Sequence, residues 1–178
     1  MLDIANRMKF VVIFLLLFIC KANGVCPVEK IMPVNSIEEE IVKQFSSVKD
    51  FIYSGQTITG FMISIKKELI FDECDCISDS GKVLLDKLAQ IMKTSGRRWE
   101  IYCHTTEGKD LLEKLSKTSI QAGEVTEYLT TKERCLINQL FPIGFGSIMP
   151  TKNKTNANYE LKNRVDFIIE EYNLNLSQ

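Results

Sequence analysis

Residues 99–129, WEIYCHTTEGKDLLEKLSKTSIQAGEVTEYL, decide the fold. The stretch opens with an apolar run at residues 99–102, which is typical of a short buried strand. Polar residues follow, and apolar residues then return at helical spacing over about residues 109–129. The residues predicted for the buried side of this helix are Leu112, Leu115, Ala122, Val125 and Leu129. A buried strand that leads into an amphipathic helix predicts a sheet covered by helices.

Strand and helix patterns alternate on both sides of this stretch. Upstream, a strand pattern begins at Thr57, a turn follows at residues 66–68, and a helix over residues 81–95 ends at Gly96. Downstream, strand patterns cover about residues 136–145 and 165–170, separated by a polar, Asn-rich loop at residues 151–161. This order predicts an α/β fold with right-handed crossovers onto a sheet that has its helices on one face.

A further helix is predicted before the first strand. Residues 25–35 contain two prolines and no apolar period, so they are expected to form an arm. Ser36 followed by Glu39 has the pattern of a capping box. Helical spacing of Ile37, Ile41, Phe45, Val48 and Ile52 then predicts a helix over about residues 37–53. The expected organisation is a signal peptide (1–24), the arm and helix (25–56), the main domain (57–172) and a tail (173–178).

The N-terminus has the pattern of a secretory signal peptide. Arg7 and Lys9 precede an apolar run at residues 10–20, and small residues predict cleavage after Gly24. The run is shorter than the roughly 20 apolar residues that span a bilayer. We therefore expect an exported protein with a cleaved signal peptide. An uncleaved anchor is the alternative that the sequence leaves open.

The net charge and the metal-ligating residues limit the kinds of ligand that this chain is expected to bind. The chain has 178 residues and a net charge of -1. Removing residues 1–24 takes away three basic residues and one acidic residue, which changes the net charge from -1 to -3. This charge favours no nucleic acid. One histidine and no CxxC pair give no zinc ligand set, so neither a metal nor another cofactor is expected.

An odd number of cysteines remains after the predicted cleavage. They are Cys26, Cys74, Cys76, Cys103 and Cys135. In an exported protein such a set allows up to two disulfides and one free thiol. We expect Cys74 or Cys76 to pair with Cys103, although connectivity is not fixed by sequence.

Six short motifs follow one another in order along the main domain. They are Phe71-Asp72, His104-Thr105, Gln121-Ala122 with Val125 and Tyr128-Leu129, Gly144-Phe145-Gly146 with Pro150, Asn153-Lys154-Thr155, and Asn163-Arg164-Val165. Their order and spacing resemble those of the OmpA/MotB C-terminal domain family. The matching stretches of that family usually read FD, GHTD, LSxxRAxxVxxYL, GxGxxxP, NxT and NRRV.

The resemblance implies an α+β two-layer sandwich with a βαβαββ sheet, to which this chain adds an N-terminal helix. It also implies that strand-end loops bind the stem peptide of peptidoglycan, whose diaminopimelate carries an ammonium and a carboxylate. An acid suits the ammonium and an arginine suits the carboxylate. In the family these are the Asp of GHTD and the Arg of RA. The ligand-binding positions that the resemblance suggests here are Asp72, His104, Thr105, Thr106, Gln121, Asn163 and Arg164.

Both charges of that receptor are missing from this chain. The Asp position is Thr106 and the Arg position is Gln121, or Ser119 in a different register. Exchanging two charge-assisted hydrogen bonds for neutral ones costs about 2 to 3 kcal/mol. This corresponds to roughly 30- to 150-fold weaker binding. The charged residues that could replace them are Glu107, Asp110, Lys162 and Arg164.

The resulting hypothesis is a non-enzymatic cell-envelope protein in the periplasm, associated with the outer membrane or the cell wall. It binds peptidoglycan weakly or in altered form and anchors itself or a partner to the wall. The alternative is an envelope protein-protein interaction module that has lost peptidoglycan binding, with the helix at residues 37–53 in its docking surface. His104 is expected to be structural, because no nucleophile accompanies it.

Overall fold

The computed structural model describes residues 31–46, 52–56, 60–135, 137–148 and 162–170. Contacts divide the chain into Met1–Ile31 and Met32–Gln178, and the elements below belong to the second unit. The predicted signal peptide and the loop at residues 151–161 lie outside the described residues. Within the described ranges, no helix combines the length and the apolar character that crossing a membrane requires.

Helices and strands alternate along the chain, as the sequence predicts. The helices are α1 (Val34–Gln44), α2 (Lys67–Ile70), α3 (Asp79–Ser95) and α4 (Leu111–Thr131), and a 3-10 turn covers Ile137–Gln139. The strands are β1 (Ile52–Gln56), β2 (Gly60–Lys66), β3 (Trp99–His104), β4 (Leu140–Gly146) and β5 (Arg164–Glu170). They form one sheet in the order β1-β2-β5-β3-β4. Only the β3–β4 pair is parallel, and the other neighbours are antiparallel.

One face of this sheet carries the helices. Alternate residues of each strand point to the same side. On that side, Trp99, Ile101 and Cys103 of β3 are fully buried. The buried apolar residues of α1, α3 and α4 join them in a single core. The described residues therefore form a mixed sheet with its helices on one face, which confirms the predicted fold class.

The two long helices have well-defined ends. The Ser78 side chain accepts a hydrogen bond from the backbone N–H of Gly81 and caps the start of α3. Gly96 ends α3 in the left-handed conformation at φ 63°, as predicted. Asp110 caps α4 by accepting from the backbone N–H of Glu113. These caps fix the loops that follow β2 and β3, where the candidate site lies.

The structure corrects the predicted N-terminal helix. α1 begins at Val34 after Pro33, so Ser36 lies inside the helix and makes no cap. α1 also ends at Gln44, and residues 52–56 form the edge strand β1 instead of the last helical turn. The β-branched Ile52 and the aromatic Tyr53 are residue types that favour a strand, and β1 pairs with β2.

The predicted buried side of α4 is wrong at one position, because Leu112 is 76% exposed. Leu112 lies in the first turn of α4, beyond the edge of the sheet, where no element covers it within the described segments. Gln121 and Thr118 are buried on the inner side of this helix instead.

We expect Gly81→Ala to lower the free energy of unfolding by about 1 to 3 kcal/mol, since overpacking strains a close contact. A Cβ at Gly81 would lie 2.1 Å from the carbonyl oxygen of Ile70, so the backbone must shift. Gly123→Ala is the matched control, because a Cβ there meets nothing within 4 Å. It should stabilise α4 by about 0.5 to 1 kcal/mol. Urea unfolding followed by Trp99 fluorescence measures both, and equal effects would contradict the close contact.

Candidate functional site

Four charged side chains meet at the edge of the sheet where β2 and β3 end, and we call them the four-charge cluster: Lys67, Asp75, Glu107 and Lys117. Nζ of Lys67 lies 2.7 Å from Oδ1 of Asp75 and 2.8 Å from Oε2 of Glu107. Nζ of Lys117 lies 2.9 Å from Oδ2 of Asp75 and 2.7 Å from Oε2 of Glu107. Each carboxylate contacts both ammonium groups, so opposite charges alternate around a ring.

Local structure holds the first two members in place. Lys67 opens α2 directly after β2, and its side chain is largely buried. Asp75 lies in the loop at residues 72–76 with φ 60°, a left-handed conformation that is uncommon outside glycine. Oδ1 of Asp72 accepts hydrogen bonds from the backbone N–H groups of Cys74 at 2.9 Å and Cys76 at 3.0 Å. Asp72 therefore shapes the loop that presents Asp75.

The other two members come from β3 and α4. Glu107 follows the end of β3, where its backbone N–H donates to Oγ1 of Thr105 at 3.1 Å. Such a hydroxyl-to-backbone bond is typical of a turn. Lys117 lies on α4, one helical turn before Gln121, so both residues share one side of the helix.

Two amide side chains extend the cluster. Nε2 of Gln121 donates to Oδ1 of Asp75 at 2.9 Å. Nδ2 of Asn163 donates to Oε1 of Glu107 at 3.1 Å, and its Oδ1 accepts the backbone N–H of Thr106 at 2.8 Å. Thr106 and Gln121 therefore lie at the two ends of one hydrogen-bonded network.

The ring keeps its members charged. Hydrogen bonds from Lys117 and Lys67 hold the pKa of Glu107 below its ordinary value. Burial of the Asp75 carboxyl raises its pKa, but the bonds from the two lysines outweigh burial and lower the pKa overall. Hydrogen bonds to Glu107 and Asp75 raise the pKa of Lys117. The shifts therefore favour the charged forms of Asp75, Glu107 and Lys117.

A second polar group lies on the opposite face of the sheet. Nε of Arg164 donates to both carboxylate oxygens of Asp166 at 3.0 Å, and both residues are buried. Nε2 of His104 lies 3.0 Å from Oδ2 of Asp166, although the two atoms are not aligned as a hydrogen bond. The His104 ring stacks on Phe145 with centroids 5.4 Å apart. Burial lowers the pKa of Arg164, and Asp166 opposes this effect.

The residues suggested by the resemblance thus fall into two groups. Thr105, Thr106, Gln121 and Asn163 lie at the four-charge cluster, with Asp72 supporting it through the loop. His104 and Arg164 lie in the buried group around Asp166. The two groups are on opposite faces because residues of a strand alternate in direction.

Three cluster members were missed from the sequence: Lys67, Asp75 and Lys117. Of these three residues, Lys117 could have been found from the sequence, because it lies four residues before Gln121 on a predicted helix. Among the charges proposed to replace the missing pair, Glu107 contacts the cluster lysines directly. Asp110 instead caps α4 and Arg164 pairs with Asp166.

The structure corrects the predicted disulfide. Cys74, Cys76, Cys103 and Cys135 are free thiols. Cys103 is fully buried in the core on β3, whereas Cys74 and Cys76 are exposed in the loop after α2. Burial raises the pKa of the Cys103 thiol far above its usual range, so this thiol stays protonated.

The charge ring predicts a loss of stability in acid. Because the folded-state pKa values of Asp75 and Glu107 are lowered, their contribution is present above the unfolded-state values of 3.8 and 4.5. It is lost as the pH falls through the lower folded-state values. The effect is modest because both side chains are partly exposed. We expect unfolding free energies measured from neutral pH into this window to fall more steeply for the native chain than for Asp75→Asn with Glu107→Gln. Parallel curves would contradict the ring.

Comparison with solved structures identifies the fold. No family model and no curated protein sequence matches the chain. A MotB-like protein from Desulfovibrio vulgaris superposes with a TM-score of 0.63 at 16% identity, covering 77% of this chain and 90% of that one. The cell wall anchor of the T6SS from Pseudomonas aeruginosa gives 0.60 at 13% identity, covering 76% and 97%. The periplasmic domain of Helicobacter pylori MotB gives 0.54 at 19% identity, covering 67% and 81%. The chain therefore has the fold of an OmpA/MotB-like C-terminal domain.

Proposed function

We propose that this chain is a non-enzymatic cell-envelope protein whose OmpA-like domain binds the stem peptide of peptidoglycan, weakly or in altered form, and so anchors itself or a partner to the cell wall. The protein is exported and works in the periplasm, associated with the outer membrane or the wall. The fold shared with MotB-like domains and with a protein described as a cell wall anchor supports this role.

The observation that carries the proposal is the position of Glu107 and Lys117. Glu107 is the neighbour of Thr106, where the family has its acid, and it contacts Asn163. Lys117 lies one helical turn from Gln121, where the family has its arginine. An acid and a cation thus remain beside the two positions that lost their charges.

The same arrangement predicts weak binding. The ammonium of Lys117 already lies 2.7 Å from the carboxylate of Glu107, and Lys67 contacts Glu107 as well. A zwitterionic ligand gains its ammonium–carboxylate and carboxylate–ammonium contacts only by displacing these internal ones. The exchange is nearly balanced, so the net gain is small. A lysine also lacks the planar fork of arginine, which binds a carboxylate through two parallel hydrogen bonds.

Sedimentation with purified sacculi tests the proposal. We expect a bound fraction that free diaminopimelate displaces and that salt reduces, because the contacts are ionic and partly exposed. Lys117→Gln should weaken binding, whereas Lys82→Gln should not, since Lys82 pairs with Asp79 on the exposed side of α3. Equal binding by both variants, or binding that diaminopimelate leaves unchanged, would contradict recognition at the cluster.

The second candidate is an envelope protein-protein interaction module that has lost the wall ligand. It is favoured by the internal pairing of the four-charge cluster, which leaves each ammonium in contact with two carboxylates. The apolar side of α1 does not form its docking surface, because Ile37, Ile41 and Phe45 are buried in the core. Co-purification with one envelope protein from wall-free extracts, without sedimentation on sacculi, would favour this candidate.

A further inference from the structure

Two of the thiols are placed differently from the others. Cys74 and Cys76 are exposed and separated by one residue, whereas Cys103 and Cys135 are buried. Cys76 also lines a shallow groove of about 280 Å³ beside α4, together with Ile77 and Tyr128. An oxidant thus has access to one pair of thiols and not to the buried ones.

The spacing of the two cysteines along the chain limits the distance between them. Cα atoms two residues apart are separated by at most about 7 Å. A disulfide requires about 4.4 to 6.8 Å. The left-handed turn at Asp75 tightens the loop, and Sγ of Cys76 lies 3.8 Å from the carbonyl oxygen of Cys74. The Cys76 side chain therefore already leans toward Cys74.

Metal binding does not account for the pair. Within the described ranges, no three His, Cys, Asp or Glu side chains are arranged to hold a metal ion. The carboxylate of Asp72 accepts the backbone N–H groups of both cysteines, and the carboxylate of Asp75 contacts Lys67 and Lys117.

We propose that Cys74-Asp75-Cys76 is a thiol–disulfide exchange site, which a small-molecule or protein disulfide oxidises to a disulfide within the loop. This inference does not depend on wall binding. Its effect falls on Asp75, the residue between the two sulfurs, because closing the small ring changes the backbone that holds the Asp75 carboxylate against Lys67 and Lys117.

The external disulfide is the only oxidant that this exchange reaction requires. One cysteine thiolate attacks a sulfur of the oxidant, forming a mixed disulfide and releasing one thiolate. The second cysteine thiolate then attacks the mixed disulfide, forming the Cys74–Cys76 bond and releasing the second thiolate. Two cysteine thiols are oxidised and one disulfide is reduced to two thiols. Strain in so short a loop makes the product easy to reduce again, so the site is reversible.

Mass spectrometry of the full chain tests the site. The reduced protein is treated with glutathione disulfide, blocked with a maleimide and digested with trypsin, which releases residues 68–82 with no other cysteine. We expect this peptide to lose the mass of two hydrogen atoms and both maleimide labels. In Cys74→Ser and in Cys76→Ser the same peptide should keep one glutathione instead. Cys103 and Cys135 serve as internal controls that stay unmodified until the protein unfolds.

The formation of the disulfide and its effect on Asp75 are tested separately. A peptide that stays reduced, carries two glutathiones or is joined to another cysteine peptide would overturn the exchange site. Because Cys26 lies outside the described residues, Cys26→Ser is oxidised in parallel and should behave like the native chain. The effect on Asp75 is read from the side-chain amide resonances of Gln121, which should shift on oxidation and return on reduction. Unchanged resonances in the oxidised protein would overturn the link to the cluster, whatever the result with sacculi.

Discussion

Replacing Asp166 by asparagine should lower the free energy of unfolding by about 3 to 5 kcal/mol, the usual cost of removing one partner from a buried ion pair. The side chains of Arg164 and Asp166 are only 2% and 3% exposed, and Nε of Arg164 donates to both oxygens of the carboxylate. An arginine keeps its charge at any ordinary pH. The variant therefore removes the negative charge that the buried guanidinium contacts through Nε.

Urea unfolding followed by the fluorescence of Trp99 measures this loss, since the chain has one tryptophan and it is buried. Asp79→Asn is the matched control, because Asp79 pairs with Lys82 on the exposed side of α3 and should change stability little. A double variant, Arg164→Met with Asp166→Leu, should recover much of the loss because both members of the ion pair are replaced together. If Asp166→Asn and Asp79→Asn unfold alike, the buried pair contributes nothing.

Restoring the family's charges with Thr106→Asp and Gln121→Arg should raise the affinity for sacculi by roughly 30- to 150-fold. Two charge-assisted hydrogen bonds replace two neutral ones, which contributes about 2 to 3 kcal/mol. The two substitutions add one acid and one cation to a cluster that holds two of each, so its charge stays balanced. Gln121→Arg alone adds a third cation beside Lys67 and Lys117 and should destabilise the fold.

The control for this variant has the same composition in the reverse order, Thr106→Arg with Gln121→Asp. It should gain no affinity, because the acid and the cation stand in the wrong places for the ligand. Binding isotherms on sacculi, with and without diaminopimelate, compare the two. A similar rise in both would mean that added charge acts without specific recognition, and no rise in either would mean that the cleft has changed shape.

Much of the fold could be predicted from sequence because its strongest signals are local. The apolar period and Gly96 place α3, and the run from Trp99 places β3. The errors occur where local patterns end. Helical spacing continues past Gln44 into residues 52–56, but these residues pair with the neighbouring strand β2, and this pairing sets their conformation. The one-turn helix α2, which replaces the expected turn, is likewise set by its position between β2 and α3.

The candidate site could be predicted only in part. Motif order placed Thr106, Gln121 and Asn163 in one site. Thr106 follows β3, Asn163 precedes the antiparallel strand β5 at the same end of the sheet, and Gln121 of α4 contacts Asp75. Lys67 and Asp75 have no such signal, since their partners lie on other elements. The disulfide prediction failed although a signal was present: Cys103 follows Trp99 and Ile101 at strand spacing and so faces the core.

The sheet order β1-β2-β5-β3-β4 also affects when the chain can fold during its synthesis. Of the described strands, β5 comes last in synthesis, yet it sits in the middle, between β2 and β3. Until β5 emerges, the earlier strands form two separate fragments with no backbone hydrogen bonds between them. Such a topology favours slow, late and cooperative folding, because distant segments must meet before the core closes. A nascent chain of this kind cannot complete its sheet until the last of these strands has been made.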